Sequence, residues 1–413
     1  MIAEIITIGD ELLYGARIDT NSAFIGNRLD SIGIEVRYMT STGDNMDLMI
    51  EAITLALRRA DIVLTTGGLG PTDDDITKNA VCKVFKRNLI FHEEILESLQ
   101  LRYTERGLDM PAINQNQALL PQGARFLANK TGSALGILIE ERGKLFCAMP
   151  GVPSEMRPMV DEELLPVLTS KLGDKVIIRK KLRTIGITEA VLAEKIRPTL
   201  KFAEGVSLAY LPSYRGVDLC IKGIGTVAAE VESGVDLLAA GIRDKAGKYI
   251  FTEDDREIEE VVGALLIERG QTLAVAESCT GGLLGGRLTS TPGSSDYFLG
   301  GIIAYSNEVK IRRLGVSSEI IERYGAVSAE CAKAMASGVI EAIGSDIGIS
   351  ITGVAGPDGG TPEKPVGTVF MGLATTRGAI HRKFTLGTDR EINRERAVSA
   401  ALNMIRRELL GIA

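Results

Sequence analysis

The sequence predicts an α/β protein with three domains, and three observations carry this prediction. The chain has 413 residues, more than one ordinary hydrophobic core organises, so two or three domains are expected. Apolar runs alternate with amphipathic stretches near both ends of the chain, which is typical of sheets covered by helices. The middle of the chain instead shows paired strands and one long helix. We place the domains at residues 1–170, 171–252 and 253–413.

The first domain begins with a regular alternation of strands and helices. Strands are predicted at residues 3–8, 34–40, 61–66 and 144–149, and helices at 21–32, 47–59 and 154–172. Consecutive strands joined by helices favour a parallel sheet with helices on both faces.

A glycine-rich loop at residues 65–75 follows the third of these strands. Gly67, Gly68 and Gly70 allow the backbone to approach a pyrophosphate, and the start of the next helix favours an anion. We expect Thr72 and Asn21 to contact the same ligand.

Three consecutive aspartates at residues 73–75 end this loop and would repel a phosphate unless a divalent cation lay between them. Carboxylate oxygens suit Mg²⁺ or a similar ion. We predict Asp10, Glu11 and Asp75 as the metal ligands. The alternative interpretation is that the aspartates only cap the following helix.

The middle domain is predicted to be a small α+β unit. Its strands are expected at residues 176–184, 206–211 and 217–222, and its helices at 189–196 and 228–246. This order is similar to RNA-binding KH modules, but we find no GxxG clamp between helices and no basic surface. A spacer or dimerisation role is therefore favoured over nucleic-acid binding.

The last domain returns to α/β alternation. Strands are predicted at residues 272–276, 301–305, 347–351, 366–375 and 379–385, and helices at 255–268, 281–289, 329–342 and 391–410.

A serine nucleophile with a lysine base is predicted in this last domain. Ser278 follows an apolar strand, and the amides after it are expected to point toward its oxygen, as an oxyanion hole requires. Lys310 is the candidate base, because burial keeps a lysine partly neutral. Tyr305 is expected to orient either group. The alternative is that Ser278 caps a helix and Lys310 is a solvated surface residue.

Further contacts to the substrate are predicted around this pair. Thr352 and the glycines after it are expected to hold a ribose or phosphate, and Arg396 to supply a charge-assisted phosphate contact. The predicted substrate-binding residues of this domain are Glu277, Thr280, Gly281, Gly282, Asn307, Gly353, Gly356 and Gly360.

Composition excludes several other classes of protein. A net charge of −7 argues against a nucleic-acid partner. Two histidines are too few for a histidine-rich metal site, and the five cysteines include no metal-binding CxxC pair. No apolar run reaches the roughly 18 residues of a membrane span, and the first residues lack a basic signal region. We expect a soluble, cytoplasmic protein with no membrane partner.

Several strings of the last domain resemble the C-terminal domain of the CinA family. They occur at residues 276–282, 304–310, 325–328, 351–360 and 364–369. The resemblance implies hydrolysis of nicotinamide mononucleotide to nicotinate mononucleotide and ammonia, without a metal. The family's serine–lysine pair falls on Ser278 and Lys310, and its other implicated positions fall on Tyr305, Thr352 and Arg396.

Strings at residues 9–13, 19–21, 67–77 and 149–156 resemble the same family's version of the molybdopterin-binding fold, a three-layer α/β domain. The resemblance implies metal-dependent ADP-ribose pyrophosphatase activity here and a KH-type domain in the middle. One departure is Asn116, where we expect a lysine. If that lysine contacts the pyrophosphate, hydrolysis here is weak or absent.

The expected protein is a bifunctional enzyme of pyridine-nucleotide salvage and a homodimer paired through its middle domain. In a second interpretation, the first domain is a non-catalytic pterin- or nucleotide-binding module tethered to one working amidase. A third, a DNA-uptake factor, is disfavoured by the acidic charge.

Overall fold

The computed structural model describes residues 1–173 and 175–412. Contacts between Cα atoms divide the chain into two compact units: Met1–Ile177 with Ile224–Val227, and Ile178–Gly223 with Ala228–Ala413. Both units mix helices and strands, which confirms the predicted α/β class. No helix in the described part of the chain is both long and apolar enough to cross a membrane.

The first unit is built on a six-stranded sheet with the order β2–β1–β3–β8–β7–β6, and β4 and β5 pair separately. The strands are β1 (Ile2–Ile8), β2 (Glu35–Thr42), β3 (Ile62–Thr66), β4 (Leu89–Phe91), β5 (Leu119–Pro121), β6 (Arg125–Leu127), β7 (Gly136–Glu141) and β8 (Lys144–Met149).

The predicted parallel sheet is confirmed for β2, β1, β3 and β8, whereas β7 and β6, for which no strand was predicted, run antiparallel. The reason is a two-residue hairpin between β7 and β8. Arg142 and Gly143 form its turn with φ of 53° and 75°, and positive φ at both turn residues suits an antiparallel pair.

Helices cover both faces of this sheet and make it the centre of three layers. They are α1 (Asp10–Leu13), α2 (Asn21–Ser31), α3 (Met46–Arg59), α4 (Thr77–Phe85), α5 (Glu93–Glu105), α6 (Pro153–Pro158) and α7 (Leu165–Thr169), with a π-helical segment at Met159–Leu164. Neighbouring β1 residues point to opposite faces, because Ile6 packs in one core with Ile53 while Ile5 packs in the other with Ile25.

The middle domain has a four-stranded sheet with the order β10–β11–β9–β12. Its elements are β9 (Val176–Thr184), α8 (Glu189–Ile196), β10 (Val206–Pro212), β11 (Val217–Gly225), α9 (Ala228–Ala246) and β12 (Ile250–Thr252). Leu182, Leu192, Leu219 and Leu238 are fully or almost fully buried together in its core, so both helices pack on one face of the sheet.

The C-terminal domain has a five-stranded sheet with the order β14–β13–β15–β16–β17. The strands are β13 (Leu273–Glu277), β14 (Phe298–Ile303), β15 (Ile347–Gly353), β16 (Thr368–Thr375) and β17 (Gly378–Thr385). The first three strands in sheet order run parallel to one another. Strand β16 runs antiparallel to both of its neighbours, β15 and β17. The carboxyl ends of β13, β14 and β15 therefore meet at one edge.

The helices of this domain are α10 (Ile258–Arg269), α11 (Leu283–Thr289), α12 (Asn307–Leu314), α13 (Ser318–Tyr324), α14 (Ala329–Ile343) and α15 (Arg390–Leu410). The predicted helix ranges include neither α12 nor the short α13.

Helix α15 also joins the C-terminal domain to the middle domain. The buried Arg406 guanidinium donates to the carbonyl oxygens of Lys248 at 2.8 Å and Ile250 at 3.1 Å. Burial, and then the charge of Arg407, lower the pKa of Arg406 to about 10. At Gly186 a Cβ would lie 2.9 Å from Asn403 Nδ2, so the two domains approach closely there.

Two helical glycines make a matched test of this packing. A Cβ at Gly338 in α14 would lie 1.8 Å from the Leu314 carbonyl oxygen, whereas a Cβ at Gly286 in α11 would have no neighbour within 4 Å. We expect Gly338→Ala to lower the Tm of the C-terminal domain by at least about 3 °C through overpacking. Gly286→Ala should leave it unchanged or raise it, since alanine favours the helix by up to about 1 kcal/mol. Calorimetry measures both, and equal Tm values for the two variants would contradict the described packing of α14.

Candidate functional site

Ser278 lies at the carboxyl end of β13, where the chain leaves the sheet. Its N–H donates to the Ile351 carbonyl oxygen at 2.9 Å, and its own carbonyl accepts from Gly281 N at 3.1 Å. Gly281 and Gly282 follow with φ of 60° and 96°, a region that glycine adopts without strain. The strand pairing and the glycine turn together hold Ser278 at the sheet edge.

Glu277 holds this turn from inside. Its buried carboxylate accepts hydrogen bonds from three backbone N–H groups: Gly282 at 3.1 Å, Leu284 at 3.1 Å and Gly285 at 2.8 Å. Both carboxylate oxygens are thus occupied by the start of α11, where the helix dipole also favours a negative charge. This corrects the expectation that Glu277 contacts the substrate: Glu277 positions the turn.

Lys310 reaches Ser278 from α12. Its Nζ lies 3.2 Å from Ser278 Oγ, 2.7 Å from the Ala304 carbonyl oxygen and 3.3 Å from the Tyr305 carbonyl oxygen. The side chain is only 1% exposed. Burial lowers the pKa of this amine below its usual 10.5, against smaller opposing effects of Cys331 and Cys279.

This geometry suits a neutral amine. Two hydrogens of a neutral Lys310 can be donated to the two carbonyls, which leaves the nitrogen lone pair facing Ser278 Oγ. After proton transfer, the ammonium would have three donors for the same three oxygens. The alternative interpretation is wrong on both points, because Lys310 is buried and the residue that caps α11 is Gly282, not Ser278.

The amides after Ser278 are free of backbone partners in the described chain. The N–H groups of Cys279 and Thr280 have no backbone acceptor there. The Thr280 hydroxyl is also buried without a hydrogen-bond partner. These donors directly follow the serine in sequence, so they are available for the predicted oxyanion hole.

Tyr305 and an arginine that the sequence interpretation missed form one wall of the site. The Tyr305 side chain is 63% exposed, and its hydroxyl lies 3.3 Å from Arg390. Arg390 also donates to the Gly356 carbonyl oxygen at 2.6 Å. The Tyr305 hydroxyl therefore does not orient Ser278 or Lys310, as was expected; only its backbone carbonyl contacts the lysine.

Arg396 does not belong to this site, which corrects its predicted role. Arg390 and Arg394 lie one helical turn apart, so they share a face of α15, and Arg394 donates to the Thr280 carbonyl oxygen at 2.8 Å. Arg396 lies on another face and lines a separate cleft. The four-residue spacing places Arg390 and Arg394 on one helical face, but only the tertiary structure shows that this face meets the site.

The end of β15 and the loop that follows it support the site by packing and internal hydrogen bonds. Thr352 is fully buried, and its hydroxyl donates to the Ala326 carbonyl oxygen at 2.8 Å. Gly353 admits the close approach of β16, since a Cβ there would lie 2.8 Å from the Thr368 carbonyl oxygen. Gly356 precedes a cis peptide bond to Pro357. Thr352 is thus a positioning residue rather than a catalytic one.

The remaining predicted residues, Gly360 and Asn307, are solvent-exposed. A Cβ at Gly360 would lie 2.8 Å from Val366 N, so this glycine lets the loop fold back on itself. Asn307 is the first residue of α12, directly after the capping Ser306. Both lie next in sequence to elements that form the site.

The first unit contains a separate cavity of about 450 Å³ at the carboxyl ends of β1, β3 and β8. Gly67, Gly68, Gly70, Asn21 and Glu11 line it. The N–H groups of Gly68, Leu69 and Gly70 have no backbone acceptor in the described chain. Such a run of free amides in a glycine-rich loop is suited to a phosphate.

Asn21 connects the two loops that border this cavity. Its Nδ2 donates to Thr66 Oγ1 at 3.0 Å and to the Gly151 carbonyl oxygen at 2.8 Å. Its Oδ1 is buried without a hydrogen-bond partner. This oxygen is therefore an unpaired acceptor on a residue that lines the cavity.

The structure does not bring the predicted metal ligands together. Asp75 accepts from Thr72 N at 2.9 Å and from Thr72 Oγ1 at 2.6 Å, and Asp10 Oδ1 accepts from Asp44 N at 3.2 Å. Among the described residues, no three acidic, histidine or cysteine side chains lie close enough together to hold a metal ion. The grouping of Asp10, Glu11 and Asp75, and the ligand contact of Thr72, are corrected accordingly.

Asp44 is the carboxylate that the sequence interpretation missed in this region. It lines the cavity. Burial raises its pKa, and the charges of Asp10, Glu11 and Asp74 raise it further, against a hydrogen bond from Asp10 N that lowers it. The region therefore concentrates negative charge even though its oxygens do not converge.

A lysine does reach Asn116, but from α4. Lys78 Nζ donates to the Asn116 carbonyl oxygen at 2.9 Å and to Gln117 Oε1 at 3.0 Å. Gln117 in turn donates to the Leu69 carbonyl oxygen at 3.0 Å. Burial lowers the pKa of Lys78 to about 8. Lys78 thus supports the glycine loop through Gln117 and is not among the residues that line the cavity.

Comparisons with known proteins agree with this three-part organisation. Family models described as "Probable molybdopterin binding domain", "Damage-inducible protein CinA KH domain" and "CinA C-terminal domain" match residues 4–170, 179–252 and 255–409. A "Putative competence-damage inducible protein" of Halothermothrix orenii is 42% identical over 410 residues, which cover 99% of both chains. The chain belongs to the CinA family.

Other relatives extend this similarity. A "CinA-like protein" of Dictyoglomus thermophilum is 40% identical over 412 residues, covering all of both chains. A crystal structure of the protein CinA with unknown function from Thermoplasma acidophilum is 34% identical, with a TM-score of 0.36; it covers 41% of this chain and 97% of its own.

Proposed function

We propose that the C-terminal domain hydrolyses the carboxamide of nicotinamide mononucleotide to give nicotinate mononucleotide and ammonia. The observation that carries this proposal is the 3.2 Å contact between Ser278 Oγ and the buried Lys310 Nζ. A serine next to a lysine of lowered pKa is a nucleophile next to its base. The substrate itself is inferred from membership of the CinA family together with this amidase chemistry.

In the first step, Ser278 Oγ attacks the amide carbon while Lys310 Nζ takes the hydroxyl proton. The oxyanion that forms is stabilised by the free N–H groups of Cys279 and Thr280. The C–N bond then breaks as the lysine returns the proton to the leaving nitrogen. Ammonia departs and an ester on Ser278 is left.

In the second step, water hydrolyses this ester. Lys310 accepts a proton from water, the hydroxide attacks the ester carbon, and the proton returns to Ser278 Oγ as the C–O bond breaks. No residue other than Lys310 is needed as a base, because the Ala304 and Tyr305 carbonyls hold its amine in place through both steps.

The exposed wall of the site suits the rest of the substrate. The Tyr305 ring presents an aromatic face to solvent, which can attract a positively charged pyridine ring. Arg390 next to it offers a guanidinium for the phosphate.

Ammonia release from nicotinamide mononucleotide tests this proposal directly. We expect the wild-type chain to release ammonia in the presence of EDTA, and Ser278→Ala to be slower by at least about a thousandfold. The control is Ser317→Ala, which removes a serine that only caps α13. Release by Ser278→Ala at the wild-type rate, or none from the wild type, would refute the assignment.

The pH dependence tests the role of Lys310. Only the neutral amine accepts the serine proton, so kcat/KM should rise with pH until the lowered pKa is passed and then level off below pH 10.5. Profiles of the wild type and of Lys310→Arg, recorded between about pH 6 and pH 9, measure this, because arginine stays charged there. A flat wild-type profile, or an equally active arginine variant, would remove lysine as the base.

A second candidate function concerns the first domain, which we propose binds ADP-ribose or a similar nucleotide diphosphate. The free amides of the glycine loop and the unpaired Asn21 Oδ1 support this proposal. Carboxylates near the cavity are suitable donors for Mg²⁺ in chemical type but do not converge, so no hydrolytic step is derived through a metal. Binding is supported more directly than turnover.

Two glycines with nearly equal φ test this binding. Gly68 (φ 64°) and Gly107 (φ 67°) carry the same backbone cost for alanine, but a Cβ at Gly68 would lie 2.3 Å from Thr77 Oγ1, whereas one at Gly107 would have no neighbour. We expect Gly68→Ala to weaken ADP-ribose binding at least about tenfold and Gly107→Ala to leave it unchanged, as measured by calorimetric titration. Equal affinities would place the ligand elsewhere. AMP release with Mg²⁺ added would distinguish an enzyme from a binding module.

A further inference from the structure

A second large cleft, of about 550 Å³, lies within the second unit between the middle and C-terminal domains. Residues of β17, of α15 and of the middle-domain segments 185–189 and 212–217 line it. None of its lining residues belongs to the Ser278 site or to the cavity of the first domain. It is therefore a distinct feature of the molecule.

The cleft is lined by one stripe of α15 and one face of β17. Arg396, Ala400, Met404 and Arg407 recur every three or four residues on the helix, the spacing of a single helical face. On the strand, Arg382 and Phe384 are two residues apart, so both side chains project from the same face. The two elements present arginines beside an apolar surface.

Three of these arginines lack an acidic partner. Arg382, Arg396 and Arg407 form no ion pair with any described residue, and Arg407 Nε is buried without a hydrogen-bond partner. Arg215 also lines the cleft, and its guanidinium nitrogens lie 3.7 Å from a carboxylate oxygen of Glu257 and 3.6 Å from one of Glu395. Glu189 is the single acidic residue among the described lining residues.

The charge in the cleft also has an effect inside the domain. The charge of Arg407 contributes to the lowered pKa of Arg406 next to it, after the larger effect of burial. Like charges repel one another, and an anion bound beside them would relieve the repulsion. Guanidinium groups are well matched to a phosphate, which they bind through paired hydrogen bonds.

We propose that this cleft binds a small phosphorylated organic anion with a flat apolar ring, of the nucleoside monophosphate class. Arg382, Arg396 and Arg407 bind the phosphate. The ring packs against the apolar surface that Phe384, Leu386 and Met404 provide. The volume is within the range of small-ligand sites.

Arginine-specific modification tests this proposal at the cleft itself. The full-length chain is treated with phenylglyoxal, with and without AMP, and the modified peptides are quantified by mass spectrometry. At ten times the Kd, AMP should slow modification of Arg382, Arg396 and Arg407 about tenfold. The exposed Arg312 and Arg323 serve as controls and should react unchanged. Because the readout is local, AMP bound in the first domain or at Ser278 does not affect it.

Three other probes decide between explanations. Adenosine should give no protection and inorganic phosphate weak protection; equal protection by either would refute recognition of a phosphate joined to a ring. Protection by an RNA oligonucleotide but not by AMP would show a nucleic-acid surface and overturn the proposal. The absence of any protection at millimolar AMP would also overturn it.

A variant pair gives an independent measurement. Arg396→Gln with Arg407→Gln should remove one class of AMP sites in equilibrium dialysis, while Arg312→Gln with Arg323→Gln should retain it. Thermal unfolding of both variants at the wild-type Tm shows that the fold is kept. Identical AMP stoichiometry in all three proteins would refute the proposal.

Discussion

The burial of the Lys310 amine between two backbone carbonyls is the constraint on which the C-terminal site depends. A fully desolvated ammonium without a carboxylate partner is costly, so burial shifts the lysine toward its neutral form. The Ala304 and Tyr305 carbonyls can hold that amine only where β14 ends and α12 begins. The Ala304 N–H is itself bound to the Glu277 carbonyl oxygen at 2.7 Å, so the pairing of β13 with β14 sets the distance between base and nucleophile.

Both sites lie at the carboxyl ends of parallel strands, but the two loops use their amides differently. In the first domain Gly68, Leu69 and Gly70 line a cavity, and their N–H groups have no backbone acceptors in the described chain. In the C-terminal domain Glu277 takes up the amides of Gly282, Leu284 and Gly285. An internal carboxylate at that position makes the turn rigid and excludes a phosphate from it. The N–H groups of Cys279 and Thr280 remain without backbone acceptors in the described chain. Two amides are better suited to a developing oxyanion than to a fully charged phosphate.

Helix α15 organises the second unit because its faces have different neighbours. Near its start, Arg390 and Arg394 contact the loops of the Ser278 site. Asn393 donates to the Ala355 and Gly387 carbonyl oxygens at 3.0 and 2.8 Å and holds the loop after β15. Further along, Arg406 binds the middle domain, while a third face lines the arginine-rich cleft. One helix therefore connects the active-site loops, the domain junction and the second cleft.

The sequence by itself determined the element types, the three-part organisation and the pairing of Ser278 with Lys310, because these follow from local signals: apolar periodicity, glycine turns and unusual strings of residues. Tertiary structure alone decided which side chains reach a ligand. Glu277, Thr352 and Thr72 have suitable chemistry, but in the folded chain each is already engaged by hydrogen bonds within the protein. Arg396 was predicted in place of Arg390 because the sequence does not show which face of α15 meets the site. The scattered carboxylates near Asp44 and the cleft between domains depend on how distant segments pack, and no local pattern encodes that.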